Sequence, residues 1–382
     1  MATLAVAALS ARSLVEAAVS AGHEALALDL FGDIDTCRAA RRWWRIGDPA
    51  ALRIEAGPFC DALRQAAANG ASGWIAGSGF EAEPALLDAG AKLLPLLGNP
   101  AAAWQQVADP QRFFGCLSRH GVPHPAWSRQ RPADAEHWLF KPVGRCGGWG
   151  VQPAMALSTP AAAGYFQRCT PGRPVSATFV ADGRSAIVLG FNQQRVQAAP
   201  GRPYGFAGIV GPVPLAAPAA AEMRRALALL VAEFGLVGLG SLDALLDGEA
   251  LAVLELNPRP PASHSLYEPQ AFAAHLAACQ RGVLPPAPAA APGVQGQAIV
   301  YARHRLQVDA ALAALLAERP DSHDLPLPGT AVAAGDPLCS LWAQGPDAGT
   351  VQARLDAATE QLWSSLDHRI CLPDTALERH PP

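Results

Sequence analysis

Asp243, Glu255 and Asn257 stand inside otherwise apolar runs of the stretch Ser241 to Pro261, SLDALLDGEALAVLELNPRPP. A carboxylate taken out of water without a partner is very costly, so two of them among apolar residues ask for a cation. Oxygen-only donors suit Mg²⁺ or Mn²⁺, and Mg²⁺ is usually held by one or two carboxylates together with substrate phosphates. A phosphate-directed element lies upstream. The run Trp138-Leu139-Phe140 delivers Lys141, and Gly144, Gly147, Gly148 and Gly150 follow. Glycines let a loop turn sharply, so that backbone N–H groups can approach phosphate oxygens. Lysine adds a compact positive charge. Only two of the 29 basic residues are lysines, Lys92 and Lys141, so a lysine in this place carries information. The Walker pattern G-x-x-x-x-G-K-[ST] is absent. Oxygen donors for a hard cation and a lysine with a glycine loop together point to a nucleoside triphosphate.

Two apolar strands joined at Asp247-Gly248 must position the ligands. Side chains alternate along a strand, so Glu255 and Asn257 share a face. A two-residue turn would pair Asp243 with Ala252 and put it on the opposite face. A three-residue loop, Asp247 to Glu249, pairs Asp243 with Val253 and puts all three on one face; this is the register expected. Acids on a solvated face would make the same segment a plain hairpin. Arg259, just past the strand, is the candidate for stabilising charge on a transferring phosphoryl group. Asn192, Gln193, Gln194 and Arg195, and the turn holding His264, Tyr267 and Glu268, could meet a polar substrate. Equally they could be a polar loop and a structural histidine.

Residues 1–97 alternate between apolar runs and amphipathic stretches, which argues a parallel sheet of Rossmann-like topology. Expected strands are Leu4 to Leu9, Glu24 to Leu30, Gly73 to Gly77 and Lys92 to Gly98. A helix through Ala21 should be capped by Ser10 or Ser13. No G-x-G-x-x-G marks the first turn, which disfavours a dinucleotide. Asp29, Asp33 and Asp35 read as turn-shaping. Helices are expected over Gln111 to His120 and Ala221 to Phe234, and the run after Leu284-Pro285-Pro286 reads as a linker. The tail offers strands at Ala298 to Ala302 and Leu338 to Ala343 and a helix from Ala348. Residues past 370 read as loosely ordered.

A chain of 382 residues with net charge −4 and no long run of one sign carries no electrostatic footprint for nucleic acid. No run of about twenty apolar residues predicts a membrane span. The N-terminal stretch has no basic n-region and reads as a strand and helix, not a signal peptide. Eight scattered cysteines without a C-x-x-C pair suggest reduced thiols and a cytoplasmic protein.

The segment Leu254-Glu255-Leu256-Asn257-Pro258-Arg259, with Asp243 on the preceding strand, resembles the metal-binding strand of the ATP-grasp superfamily. The Lys141 glycine loop resembles its lysine-and-flexible-loop element, and Gly121-Val122-Pro123-His124-Pro125 its small-subdomain turn. The resemblance implies an α/β fold, α+β in the lid. It divides the chain into a Rossmann-like domain (1–97), a small lid subdomain (98–172) and a large subdomain with the metal site (173–283). A linker and β-rich C-terminal domain follow (284–382). It implies ATP and Mg²⁺ (or Mn²⁺) as ligands, Asp243, Glu255 and Asn257 on the metal, and Lys141 and Arg259 as catalytic. Lys141, Gly147, Gly148 and Gly150 would meet the nucleotide. Three positions depart from the pattern: Arg112 stands near the place of the usual lid lysine, Gln167 is neutral at the hinge, and Ser176 falls where some members carry Glu. Within the superfamily the chain resembles biotin carboxylase-like carboligases, a branch that includes the tyramine–glutamate ligase of methanofuran synthesis. That implies joining a carboxylate to an amine, in methanofuran- or tetrahydromethanopterin-linked cofactor biosynthesis, and leaves a homodimer open. A nucleotide-binding protein without turnover is the alternative; a Rossmann oxidoreductase is argued against by the missing glycine fingerprint.

Overall fold

The computed structural model describes residues 1–157, 163–199, 202–288 and 293–370. Residues 289–292, in the expected linker, and 371–382 lie outside the described residues.

Four parallel strands open the chain, ordered Arg42–Arg45, Glu24–Asp29, Thr3–Ala7 and Ala71–Ala76. Their near-continuous apolar runs suit strands covered on both faces. Helices Ala56–Ala68 and Ala85–Ala91 cover one side, burying Phe59, Leu63, Leu86 and Leu87 with Trp74. Helix Arg12–Ser20 and the distant helix Gln270–Arg281 cover the other, with Leu14, Val15, Phe272 and Leu276. Neither Ser10 nor Ser13 caps the first helix. The buried carboxylate of Asp29 accepts from the backbone N–H of Ala11 (3.0 Å) and Gly32 (2.9 Å) and from Trp43 Nε1 (2.6 Å). Its turn-shaping role is thus a capping role supplied by the neighbouring strand. The expected strand at Lys92 to Gly98 does not form beyond a single bridge between Trp74 and Leu96. Pro95 has no N–H to donate to a longer ladder.

A small four-stranded sheet follows, ordered Trp127–Ser128, Gly164–Arg168, Trp138–Pro142 and Gln152–Pro153. Trp138, Phe140 and Phe166 fill its core. The largest element is an eight-stranded antiparallel sheet. Its order is Ala250–Asn257, Val237–Asp247, Arg173–Asp182, Ala186–Ala199, Arg202–Gly211, Val294–Tyr301, Pro337–Gly345 and Ser322–His323. Helix Ala217–Phe234 buries Met223, Leu227, Leu230 and Val231 against one face, beside Val175, Ala177, Leu242 and Val253. It ends at Gly235 in the left-handed region. Helix Ala348–Ile370 packs on the strands of the tail through Val351, Leu355 and Leu362. The opposite face near the first two strands is polar, and the candidate site lies there. No described helix is long and apolar enough to cross a membrane.

Candidate functional site

Asp243, Glu255 and Asn257 meet on one face, by a different route from the turn count. Asp247 pairs with Ala250 across a two-residue turn, so the expected three-residue loop and the pairing of Asp243 with Val253 do not form. Val253 pairs with Ala244 and is fully buried in the core. A β-bulge then leaves Leu254 without a cross-strand partner, and Asp243 pairs with Glu255 and Ser241 with Asn257. One extra residue shifts the side-chain alternation by one step and brings Glu255 and Asn257 to the face of Asp243.

Asn257 Nδ2 donates to Asp243 Oδ2 (3.3 Å) and to Ser241 Oγ (3.2 Å). Asp243 is buried, and its Oδ1 has no hydrogen-bond partner among the described residues. Glu255 keeps 47% of its side chain exposed and accepts from Lys141 Nζ at 2.8 Å. The Lys141 charge holds the Glu255 carboxyl below the usual carboxylate range. Burial, then the nearby Glu255 charge, pushes Asp243 up. Burial disfavours the Lys141 ammonium, but Glu255 and its other neighbours outweigh that and leave its pKa raised. Arg259 donates from Nη2 to Asn257 Oδ1 (3.3 Å) and from Nε to Glu81 Oε1 (2.5 Å). The other Glu81 oxygen accepts from the N–H of Gly79 (2.6 Å). Glu81 comes from the loop after strand Ala71–Ala76. Sequence reading passed over it, since a lone acid in a polar loop carries no pattern. Asn99 was missed for the same reason. Its amide bonds Val237 N and O and Pro258 O at 2.8–2.9 Å, tying the N-terminal layer to the base of the ligand hairpin.

The glycine loop lies folded down on strand Arg202–Gly211. The carbonyl of Gly147 accepts from Phe206 N–H (3.1 Å), and Trp149 stacks under the Arg202 guanidinium, 3.3 Å from its ring centroid. Arg202 in turn pairs with Asp336 (2.6 Å). At Gly148, φ is +76° and an added Cβ would sit 2.0 Å from the Tyr204 carbonyl oxygen, so the close approach requires glycine. Gly150 also has positive φ, at the start of the return path.

Ser176 lies beside Asp243 in the sheet and accepts from Asn192 Nδ2 (3.3 Å). Asn192 also donates to Thr178 Oγ1 (3.0 Å) and accepts from the Tyr267 hydroxyl. Ser176, Thr178 and Asn192, all buried, form with the half-buried Tyr267 a hydrogen-bonded polar floor next to the acids. Gln167 is buried on strand Gly164–Arg168, two positions after Tyr165, the partner of Lys141; its Nε2 has no hydrogen-bond partner among the described residues. Arg112 is exposed on helix Pro110–Arg119 and makes no hydrogen bond or ion pair among the described residues. His264 is structural: buried, it bonds Glu268 (2.7 Å) and Ser13 of the first helix (3.2 Å).

Residues 107–263 match the family model of an ATP-grasp domain. That segment holds Lys141, the glycine loop, Asp243, Glu255 and Asn257. The chain has the ATP-grasp fold. It is similar over more than nine-tenths of its length to several solved structures. One is the biotin carboxylase–β-γ-ATP complex from Campylobacter jejuni (15% identity, 92% of this chain and 89% of that one, TM-score 0.69). A second is the biotin carboxylase domain dimer of 2-oxoglutarate carboxylase from Hydrogenobacter thermophilus, in complex with MgADP, ADP and bicarbonate (15%, 93% and 89%, 0.69). A third is L-amino acid ligase from Bacillus licheniformis (13%, 95% and 97%, 0.66). At these identities the likeness concerns the ATP-grasp fold alone. No curated protein matches the sequence.

The donor set of this candidate site fits Mg²⁺. Asp243 has a buried oxygen without a partner, Glu255 an accessible carboxylate and Asn257 an amide oxygen, all oxygen donors from adjacent strands.

Proposed function

We propose that this protein is an ATP- and Mg²⁺-dependent ligase that joins a carboxylate to an amine through an acyl phosphate. The observation that carries this reading is the partnerless Asp243 oxygen beside the Lys141–Glu255 pair, under a glycine loop. Asp243, Glu255 and Asn257 would hold Mg²⁺, which when bound neutralises phosphate charge. Lys141 orients a phosphate oxygen as a point charge, and backbone N–H groups of the loop exclude water from it. Arg259, held by Glu81, faces the end of the ligand strand and stabilises charge developing on the transferred phosphoryl group. In the first step a substrate carboxylate oxygen bonds to the γ-phosphorus as the bond to ADP breaks. In the second an amine nitrogen bonds to the acyl carbon, phosphate leaves with the C–O electron pair, and the nitrogen loses a proton to solvent.

The test is ADP release by the purified chain against a panel of carboxylates and amines, with and without Mg²⁺, beside Glu255→Gln. Glutamate with an aromatic or furan-type amine goes first, since it samples the methanofuran-linked part of the proposal. Release that needs both partners and is lost in the variant is the expected result. ATP binding without release across the panel would favour the second reading, a nucleotide-binding protein without turnover. The exposed Arg112 and the neutral Gln167 speak for that reading. A cytoplasmic setting and a homodimer complete the proposal. The seven described cysteines form no disulfide, and sedimentation would report the assembly.

A further inference from the structure

Two charged clusters that lie away from the ligand hairpin differ in how fully they are paired. The first holds the segment Ser322 to Leu325 on the N-terminal layer. Asp35 accepts from the N–H of Asp324 (2.8 Å) and Leu325 (3.1 Å), and Ile34 N–H donates to Leu325 O (2.8 Å). The buried Arg12 uses all three guanidinium nitrogens, Nε and Nη2 on Asp324 (2.7 and 3.3 Å) and Nη1 on Glu16 (2.6 Å). That cluster is complete and leaves no donor for a ligand.

The second lies beneath helix Ala348–Ile370. A cavity of about 240 Å³ lies between that helix and strands Ala186–Ala199, Arg202–Gly211 and Val294–Tyr301. Its wall carries two guanidiniums, Arg195 and Arg303. Arg195 stands in the polar run that begins at Asn192, but it belongs to this cavity and not to the polar floor beside the acids. Each arginine spends a single nitrogen, Nη2, on an acid of the helix: Asp356 and Glu360, both at 2.5 Å. The other nitrogens make no hydrogen bond among the described residues, and Nε of Arg195 is buried. Arg303 is also held over the ring of Trp363, 5.2 Å from its centroid. The acids are the loose partners. Asp356 and Glu360 keep 64% and 67% of their side chains exposed, Arg195 only 23%. An exposed ion pair is worth little, so either acid can return to water at small cost. A buried donor left unpaired is the costly side of the arrangement.

Ala207, Ala298 and Trp363, all buried, add apolar surface to the cavity. Two planar cations around an apolar space match a molecule with two carboxylates and an aliphatic bridge, since a guanidinium meets a carboxylate through parallel hydrogen bonds. The volume equals that of about eight water molecules in the liquid, which suits a short dicarboxylate better than a nucleotide. We propose that this cavity binds a short aliphatic dicarboxylate, whose carboxylates take Arg195 and Arg303 from Asp356 and Glu360 and tie the helix to the sheet. The site is independent of the nucleotide reading, because none of its residues belongs to the ligand hairpin or glycine loop.

The experiment titrates succinate into the full chain, free of nucleotide and Mg²⁺ and at constant ionic strength. Calorimetry gives the affinity, and thermal melting gives Tm. One equivalent of succinate should bind and raise Tm, and acetate, with one carboxylate, should bind about 10-fold more weakly or worse. Arg195→Gln and Arg303→Gln should each weaken succinate about 10-fold or more, the loss of a hydrogen bond between charged groups. Asp356→Asn and Glu360→Gln should tighten it about two- to five-fold, because they remove the competing acid. Thr359→Phe, which fills the cavity from the helix, should abolish binding with both arginines in place. Lys141→Met should leave it unchanged. Absence of binding, equal binding of acetate, wild-type affinity in the arginine and Thr359 variants, or weaker binding in the acid variants overturns the proposal. So does binding lost only in Lys141→Met, which places the anion at the glycine loop. Should an arginine variant fail to fold, Asp356→Asn and Thr359→Phe decide the matter from the helix side.

Discussion

Lys141 and Glu255 neutralise each other at 2.8 Å, so each sets the electrostatic state of the other. Removing the ammonium leaves two carboxylates, Asp243 and Glu255, facing one another across the bulge with only Arg259, itself paired to Glu81, as a nearby cation. Lys141→Met is therefore expected to raise the KM for ATP about 10- to 100-fold, the equivalent of one charge-assisted hydrogen bond, while Tm changes little. Initial rates at varied ATP, beside a melting curve, check it. An unchanged KM would show that Lys141 serves the fold and not the nucleotide. At this scale the sequence was informative wherever residue type was unusual for its surroundings: acids in apolar runs, and a lysine in an arginine-rich chain. Glu81 and Asn99 were illegible because their importance lies in long-range partners, Arg259 and the base of the hairpin.

Elements were legible in kind and less so in register. Apolar runs in the first quarter of the chain predicted a parallel sheet because strands buried on both faces have no polar side to show. The ligand hairpin was located, but its turn was misjudged, since alternation assumes a regular ladder and a bulge breaks it at Leu254. Val253 and Leu256, both buried though three apart, were the trace of that break. The glycine loop illustrates a contact no local pattern contains. Its seat on Tyr204 and Phe206, and the stack of Trp149 on Arg202, join residues more than fifty positions apart. Gly148→Ala should lift the loop off its seat, because a Cβ cannot stand 2.0 Å from a carbonyl oxygen. The expected outcome is a weakened affinity for ATP with unaltered thermal stability, read by calorimetric titration and melting. Wild-type affinity in that variant would mean that the seated loop plays no part in holding nucleotide.

Across the whole molecule, His275 joins two layers. Its Nδ1 accepts from Leu239 N–H (2.9 Å) and its Nε2 meets Leu97 O (3.1 Å), which places the proton on Nε2. Burial pushes its pKa down to about 4. The unfolded chain takes up a proton at this side chain near pH 6.5, whereas the folded chain resists until about pH 4. Stability from this group is thus full above the unfolded value, falls as pH drops through the window between the two, and levels off below it, a loss of about 3 kcal/mol. His275→Gln, whose amide can supply the same donor and acceptor, should flatten that part of the pH dependence in denaturant titrations. An identical slope in the variant would assign the acid sensitivity to other groups.

The two edges of the large sheet are the first and last of its eight strands, yet both rest on the N-terminal layer. Asn99 and Glu81 hold the end of the ligand hairpin, and Asp35 holds the segment that runs out of strand Ser322–His323. The chain is in effect a hoop, closed through its first hundred residues without any covalent link. A hoop has no free end from which to peel. Loosening either seam exposes the carboxyl ends of the parallel strands, and with them the support of the other seam. Calorimetry should therefore record one cooperative melting transition, although the chain is long enough for several domains, and Arg12→Ala should lower it as a unit. Two resolved transitions in the wild type would mean that the hoop is open and that its parts melt on their own.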